Sequence, residues 1–294
     1  MVNQEKQNKP TVAYFGTSKF AVNVLDELKK GGFVPSLVIT TEDKPKGRKL
    51  TLTPSEVKTW AEKEGVKYIQ PKTLKTNEMI DEIRSFSSSG FDLFIVCSYG
   101  KIIPKNILDI PRFKTLNVHP SLLPKLRGPS PIQSAILSEN ETGVTIMRLD
   151  EEIDHGPILA QEKIEVEWPP YFYNLEKLAG ELGGKMLAHI ISPWIMGEVK
   201  EIEQNHNLAT FTKKIEKADG ELDMKDPGEI NLRKIRAYCS WPGAYFFKEI
   251  DGVKKRIIVK TAHLENGELV LERVIPEGKK EMDYTDFLRG IKIN

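Results

Sequence analysis

The chain has 294 residues, 39% hydrophobic and 29% charged, a balance that suits one large or two smaller domains with proper apolar cores. Its net charge of +1 argues against a binder that works by bulk phosphate neutralisation, so any nucleic-acid contact has to be local. The longest apolar runs, such as Phe91–Cys97, fall far short of the roughly 18 to 20 residues of a membrane span, and the polar Met1–Pro10 start lacks the pattern of a secretory signal, so a cytoplasmic protein without a membrane anchor is expected.

The opening reads as strand, turn and helix. Thr11–Phe15 is β-rich, Gly16-Thr17-Ser18 supplies the turn and cap, and Phe20, Val24, Leu25 and Leu28 follow helical spacing until Gly31-Gly32. A strand over Val34–Thr40, a polar basic loop to Pro54, a helix over Ser55–Glu64 and a short strand near Tyr68 follow. The beat continues with a helix over Glu78–Phe86, a buried strand at Phe91–Cys97, a short helix after Pro104 and a strand at Thr115–Val118. Such alternation predicts an α/β fold with a mostly parallel sheet covered by helices on both faces. Strands at Thr142–Leu149 and Ile158–Val166 and a helix over Tyr173–Trp194, with apolar Leu175, Leu178, Leu182, Met186 and Ile190, complete a first domain of residues 1–195. Residues 196–207 are polar and aperiodic and read as a linker. In residues 208–294 a helix at Ile230–Tyr238 precedes the short apolar runs Ala244–Phe247, Arg256–Lys260 and Glu268–Glu272, the pattern of a small β-barrel or sheet domain.

Cys97 lies in an apolar run and Cys239 stands shortly before a Trp-Pro pair. There is no CxxC and no histidine at ligand spacing, so both read as reduced core residues and no metal is expected. The first turn carries one glycine where a dinucleotide fingerprint needs three, which rejects NAD. More informative is Leu116-Asn117-Val118-His119-Pro120. Asn117 and His119 sit two apart on an apolar strand, hence on one face, at the carboxyl end where α/β sheets bind ligands. Lys125–Gln133 is rich in Gly and Pro and suits a cleft rim, and the acidic loop Asp150–Gly156 can deliver a carboxylate, Asp154, to the same cleft. Taken singly, each of these is ordinary: a lone histidine is more often a satisfied core or surface residue, an Asn or Asp a turn residue, and Lys44–Lys49 a solvated charge run. Ser121 lacks a nucleophile elbow and reads as a structural hydroxyl.

Together, Phe15-Gly-Thr-Ser18, Lys46-Gly-Arg48, Asn117-Val-His119, Ser121-Leu-Leu-Pro124, Pro131-Ile-Gln133, Thr142–Met147 and Asp154 resemble the folate-dependent formyltransferases, most closely those acting on initiator methionyl-tRNA, over nearly the whole chain. The resemblance implies a Rossmann-like catalytic domain, a C-terminal OB-like barrel that helps hold tRNA, 10-formyltetrahydrofolate as formyl donor, and a monomer. It implies catalytic roles for Asn117, His119 and Asp154. It places the folate against Lys101, Ile102, Ile103, Ser121, Leu122, Leu123, Pro124, Asp150 and Glu152, and the tRNA against Lys44, Lys46, Arg48, Lys49, Lys254 and Lys255. In acyl transfer to an amine, the amide of Asn117 suits an oxyanion donor and His119 titrates in the range of a proton carrier. Asp154 is expected to support His119 by orienting it, raising its basicity or holding a water.

Three other readings use the same residues. A formyltransferase for a small amine, such as an amino sugar nucleotide or a purine intermediate, would keep the triad and drop the basic loop. A formyltetrahydrofolate hydrolase would use water as acceptor, and a non-catalytic RNA binder would not need His119. The C-terminal stretch is nearly balanced in charge, so RNA binding there depends on one face rather than on bulk charge.

Overall fold

The structure is a computed structural model that describes residues 9–47 and 50–290. Arg48 and Lys49 lie outside the described residues, as do the side chain of Lys46 and residues 1–8, most of the polar start.

In chain order the elements are β1 (Val12–Gly16), α1 (Lys19–Lys30), β2 (Leu37–Ile39), β3 (Lys44–Lys46), β4 (Thr51–Thr53), α2 (Glu56–Glu64), β5 (Tyr68–Ile69), α3 (Asn77–Ser85) and β6 (Leu93–Cys97). They continue with α4 (Lys105–Leu108), β7 (Thr115–His119), α5 (Pro131–Ser138), β8 (Gly143–Arg148), β9 (Ile158–Lys163) and α6 (Phe172–Ile195). The last elements are α7 (Gly228–Ala237), β10 (Ala244–Ile250), β11 (Val253–Glu265), β12 (Glu268–Pro276), β13 (Met282–Asp283) and α8 (Tyr284–Arg289).

The main sheet has the order β5-β2-β1-β6-β7-β8-β9. Its first five strands are parallel and β8 and β9 run antiparallel at one edge. The fold class is thus the Rossmann-like, mostly parallel one, with a second, antiparallel sheet in the C-terminal part. The strand order reverses at β1, between β2 and β6, the topological switch point of the sheet. β1 and β6 are buried throughout, as continuous apolar runs covered on both faces must be. One core layer packs Phe15, Leu37, Ile39, Phe91 and Phe94 against Ile80 and Ile83 of α3.

The long helix α6 buries Leu187 and Ile191 fully, whereas Leu178, one of the apolar positions in its spacing, is 37% exposed. The buried face instead runs through glycines. A Cβ at Gly184 would lie 2.6 Å from Cβ of Glu27 and 2.7 Å from the carbonyl oxygen of Val24, and one at Gly183 would lie 2.5 Å from Cγ1 of Val118. The absent side chains let α6 approach both α1 and the sheet at backbone distance, a pattern that apolar periodicity does not register.

The chain divides into two compact units, residues 1–127, 143–164 and 176–210 in the first, and 128–142, 165–175 and 211–294 in the second. The linear division at residues 195 and 208 differs from this, because two upstream segments group with the C-terminal sheet. The physical reason is visible within the second unit. Arg233 of α7 donates to the carbonyls of Ile136 (3.1 Å) and Glu139 (2.6 Å) and to Asn140 Oδ1 (2.6 Å), so it satisfies the orphan acceptors at the end of α5 with a cation. The sheet β10-β11-β12-β13 buries Phe246, Ile257, Val259 and Val274 against Leu232 and Ile235 of α7 and Phe287 of α8.

Three local expectations change. The second strand is confined to Leu37–Ile39, since Val34 is exposed. The basic loop contains the hairpin β3–β4. The polar stretch after α6 is no free linker: Ile202 exchanges both backbone hydrogen bonds with Ile158, and Glu201 forms a bidentate pair with Arg148 at 2.8 and 2.9 Å.

Replacing Gly184 by Ala is expected to destabilise the protein by about 1–3 kcal/mol, because neither Glu27 Cβ nor the Val24 backbone can retreat cheaply. A urea melt followed by circular dichroism checks this; an unchanged midpoint would show that α1 and α6 can separate without cost.

Candidate active site

β7 ends in Asn117, Val118 and His119, all buried. The pleat sends Val118 toward Gly183 of α6 and leaves Asn117 and His119 together on the other face. The histidine ring is then fixed from the turn that follows. Its Nε2 lies 3.0 Å from the carbonyl oxygen of Leu126, and a carbonyl can only accept, so Nε2 carries a proton and, in the neutral ring, the lone pair is on Nδ1. Nδ1 faces Asp154, with Oδ1 at 3.6 Å, beyond a direct hydrogen bond but well within electrostatic reach.

Asp154 arrives by an indirect route. β8 is antiparallel to β7, and Leu116 pairs with Arg148, so β8 ends beside the start of β7 rather than beside His119. The loop after β8 has to climb back along the face that carries Asn117 and His119. It does so with Asp154 in the left-handed region (φ 48°) and Gly156 pressed onto the end of β8, where a Cβ would meet the carbonyl oxygen of Arg148 at 2.0 Å. Within the loop, Asp150 receives the backbone N–H of Glu152 at 3.0 Å and lies 2.7 Å from Nδ1 of His155.

The other expected residues take different parts. Ser121 is fully buried and its hydroxyl donates to the carbonyl of Lys125 at 2.7 Å, so it shapes the turn rather than attacking a substrate. The backbone N–H of Leu123 donates to Thr145 Oγ1 at 3.2 Å and its carbonyl accepts from Gln161 at 2.9 Å, while Thr145 itself donates to the carbonyl of Ser121 at 2.7 Å. The Ser121–Pro124 turn, with Leu122 half-buried and a cis bond before Pro124, is therefore a closed, internally satisfied wall. The ammonium of Lys101 donates to the carbonyls of Pro71 and Lys72, and Ile103 packs into the core. Ile102 and Ile153, in contrast, are 82% and 68% exposed, so two loops of the first unit leave large apolar side chains in solvent.

The basic residues divide as well. At the base of the hairpin β3–β4, Asp43 accepts two bonds from Lys58 (3.0 and 2.8 Å) and one from Gln70 (2.7 Å), and the Lys58 ammonium, helped by the Gln70 amide, holds its carboxyl below its usual range. Lys44 is exposed, and Leu50 and Leu52 project into solvent with 71% and 67% of their surfaces accessible. In the second unit Lys254 and Lys255 alternate on β11 and so leave opposite faces. Lys254 stands over the ring of Phe247 at 4.3 Å and Arg256 over Tyr245 at 5.3 Å, so the outward cation and aromatic face is built by Lys254 and Arg256, while Lys255 stands opposite Lys248 in the ladder.

Pattern reading missed Gln204, which is 5% exposed and donates to the carbonyls of Asp154 (2.9 Å) and Gly156 (2.7 Å) while accepting from Arg127 at 2.7 Å. Arg127 also meets Nδ1 of His206 at 2.9 Å, and His206 stacks on His155 with ring centroids 4.0 Å apart. No periodicity marks this polar stretch; the absence of Gly and Pro from residues 198–207 was the one available sign that it is not simple linker. Cys97 is buried, its thiol pushed up to about 12 by burial, and takes no part in the site. Among the described residues, no group of His, Cys, Asp and Glu is arranged to hold a metal, and no helix is long and apolar enough to cross a membrane.

The sequence pattern of the formyl transferase family matches residues 9–187. The methionyl-tRNA formyltransferase of Halalkalibacterium halodurans is 35% identical over 301 residues, covering 95% of this chain and 94% of its own. That of Myxococcus xanthus is 35% identical over 309 residues, with 97% and 96% covered. Among solved structures, the methionyl-tRNA formyltransferase from Clostridium thermocellum is similar with a TM-score of 0.57 at 16% identity, over 93% of this chain and 99% of that one. HypX from Aquifex aeolicus in complex with tetrahydrofolic acid gives 0.65 at 17% identity over 97% and 48%, a likeness that establishes the fold. The family pattern spans more than half of the sequence and these relatives align along nearly all of it, so this chain belongs to the formyl transferase family, in its methionyl-tRNA formyltransferase group.

Proposed function

We propose that this chain transfers the formyl group of 10-formyltetrahydrofolate to the amine of the methionine carried by initiator tRNA, preparing it for translation initiation in the cytoplasm. The observation that carries the reading is His119 gripped by the Leu126 carbonyl with Nδ1 turned toward Asp154, beside Asn117 on the same face of β7, in a member of this family.

The chemistry follows from that arrangement. The amine nitrogen attacks the formyl carbon, the new C–N bond forms, and negative charge develops on the formyl oxygen. The side-chain N–H of Asn117 stabilises that oxyanion and, being neutral, adds no proton to the step. The lone pair on Nδ1 of His119 takes the proton released by the amine, the resulting imidazolium is stabilised by Asp154, and the proton passes to the folate nitrogen as its bond to the formyl carbon breaks. Orientation of the ring falls to Leu126 rather than to Asp154, which leaves the carboxylate as the charge partner of Nδ1.

For the donor, the exposed side chains of Ile102 and Ile153 suit a planar heterocycle, and the Ser121–Pro124 turn contributes shape, since its backbone groups are already engaged. For the acceptor, the hairpin β3–β4 offers cations and the exposed Leu50 and Leu52 on a base pinned by Asp43, the form of a probe for a nucleic-acid end. In the second unit the Lys254 and Arg256 face, with Tyr245 and Phe247, offers phosphate contact and stacking, and residues 208–294 carry most of that contribution. One polypeptide supplies every residue invoked, so a monomer suffices.

Transfer of labelled formyl from 10-formyltetrahydrofolate is measured with methionyl initiator tRNA, with uncharged tRNA and with small amines. Label on the charged tRNA supports the reading; label only on a small amine moves the protein to the amino-sugar or purine alternative. In the same assay Asn117→Ala and His119→Ala are each expected to lower turnover by about two to three orders of magnitude, and Asp154→Ala by roughly one to two, with little change in KM for tRNA. Near-normal turnover in the first two removes the proposed site. Arg48→Ala is expected to raise KM for charged tRNA about tenfold at constant kcat and to flatten the salt dependence; an unchanged KM would return the hairpin to a solvated surface feature.

A further inference from the structure

Asp154 reaches His119 on a loop without regular secondary structure, in a left-handed backbone conformation, with Oδ1 3.6 Å from Nδ1. A loop of that kind needs an external brace. The brace comes from a residue 50 positions downstream, in the stretch that follows α6.

We infer that Gln204 is a positioning residue for formyl transfer, acting through Asp154, whose loop its carboxamide fixes to the turn that holds His119. The inference rests on Asp154 being the charge partner of His119 in the proposed reaction. The orientation of the carboxamide is unambiguous: the carbonyls of Asp154 and Gly156 require the NH2 end, and the Arg127 guanidinium requires the oxygen. Both donors are thereby spent on the two carbonyls that bracket the His155 peptide, so the path of the loop is clamped on both sides of the turn that aims Asp154. The acceptor connects to Arg127, which is buried, neighbours the Leu126 carbonyl that holds His119, and is tied by its own N–H to the carbonyl of Thr210 at 2.9 Å. Gln204 therefore lies on a continuous hydrogen-bonded path between the supports of the two members of the pair. Its polar groups are committed to this brace rather than to substrate, with both of its donors on the Asp154 loop. The segment that carries it is anchored independently, by Glu201 on Arg148 and by the Ile202 bridge, so losing the carboxamide frees the Asp154 loop without releasing the segment.

The test is a double-mutant cycle in the full-length protein, with Gln204→Leu, Asp154→Ala and the pair compared in the labelled-formyl assay on methionyl initiator tRNA. Gln204→Leu is expected to lower kcat roughly 10- to 30-fold, with KM for both substrates within about threefold, since a displacement near 1 Å is enough to cost that much. The double variant is expected to be no slower than Asp154→Ala alone, because a positioning residue has nothing left to position. Wild-type turnover in Gln204→Leu overturns the inference. So does a double variant slower than Asp154→Ala by the full Gln204→Leu factor, which would assign the residue to general folding or to another group. Wild-type turnover in Asp154→Ala instead overturns the reading of Asp154, and the inference with it. Should the leucine variant fail to give a cooperative melt, Gln204→Glu, which keeps the acceptor for Arg127 and removes both donors, takes its place in the cycle, and the same outcomes support or overturn the inference.

Discussion

The pleat of one strand sets the terms for the rest of the site. Asn117 and His119 share a face only because Val118 between them is drawn into the glycine-lined side of α6. A register slip of a single residue would put the valine where Asn117 and His119 now stand and turn the two polar side chains toward the helix. The central position of β7, paired on both edges by β6 and β8, forbids that slip. The cost of this security is geometric: with β8 running the opposite way, the chain reaches the acidic loop at the wrong end of β7 and has to double back.

The consequence is a site whose loops are held by side chains rather than by secondary structure. Thr145 ties the Ser121–Pro124 turn together through its single hydroxyl, Leu126 lends its carbonyl to His119, and Arg127 and Gln204 secure the acidic loop. Each hydrogen bond adds only about 0.5–1.5 kcal/mol to stability, yet leaving such a group unpaired in a buried site costs about 1–3 kcal/mol. The asymmetry explains how many modest interactions specify one arrangement: the alternatives are penalised more than the native state is favoured. A scaffold of this kind holds the His119 ring in one orientation before any substrate arrives.

Much of this was legible in the sequence, because the informative features are local. The apolar runs that became β1, β6 and β7, the helix beginning at Ser55, and the Asn117-Val-His119 alternation all depend on neighbours within a few positions. What escaped depends on distant partners. Gln204 is one polar residue in a polar stretch until Arg127 and the Asp154 loop surround it. The glycines of α6 are breaks in an apolar pattern until α1 lies against them. The hairpin β3–β4, built from Lys-Pro-Lys and Thr-Leu-Thr, carries too few apolar residues to alternate visibly. The cation and aromatic face of the second sheet, with Lys255 on the reverse side, required the strand register of β10 and β11.

The two units are interleaved along the chain, passing from one to the other at Arg127/Gly128, Thr142/Gly143, Ile164/Glu165, Leu175/Glu176 and Thr210/Phe211. On the ribosome, α5 therefore emerges long before α7, whose Arg233 caps it. The sheet of the second unit can close only when its last strands are released, so its core forms late although its first segment is made early.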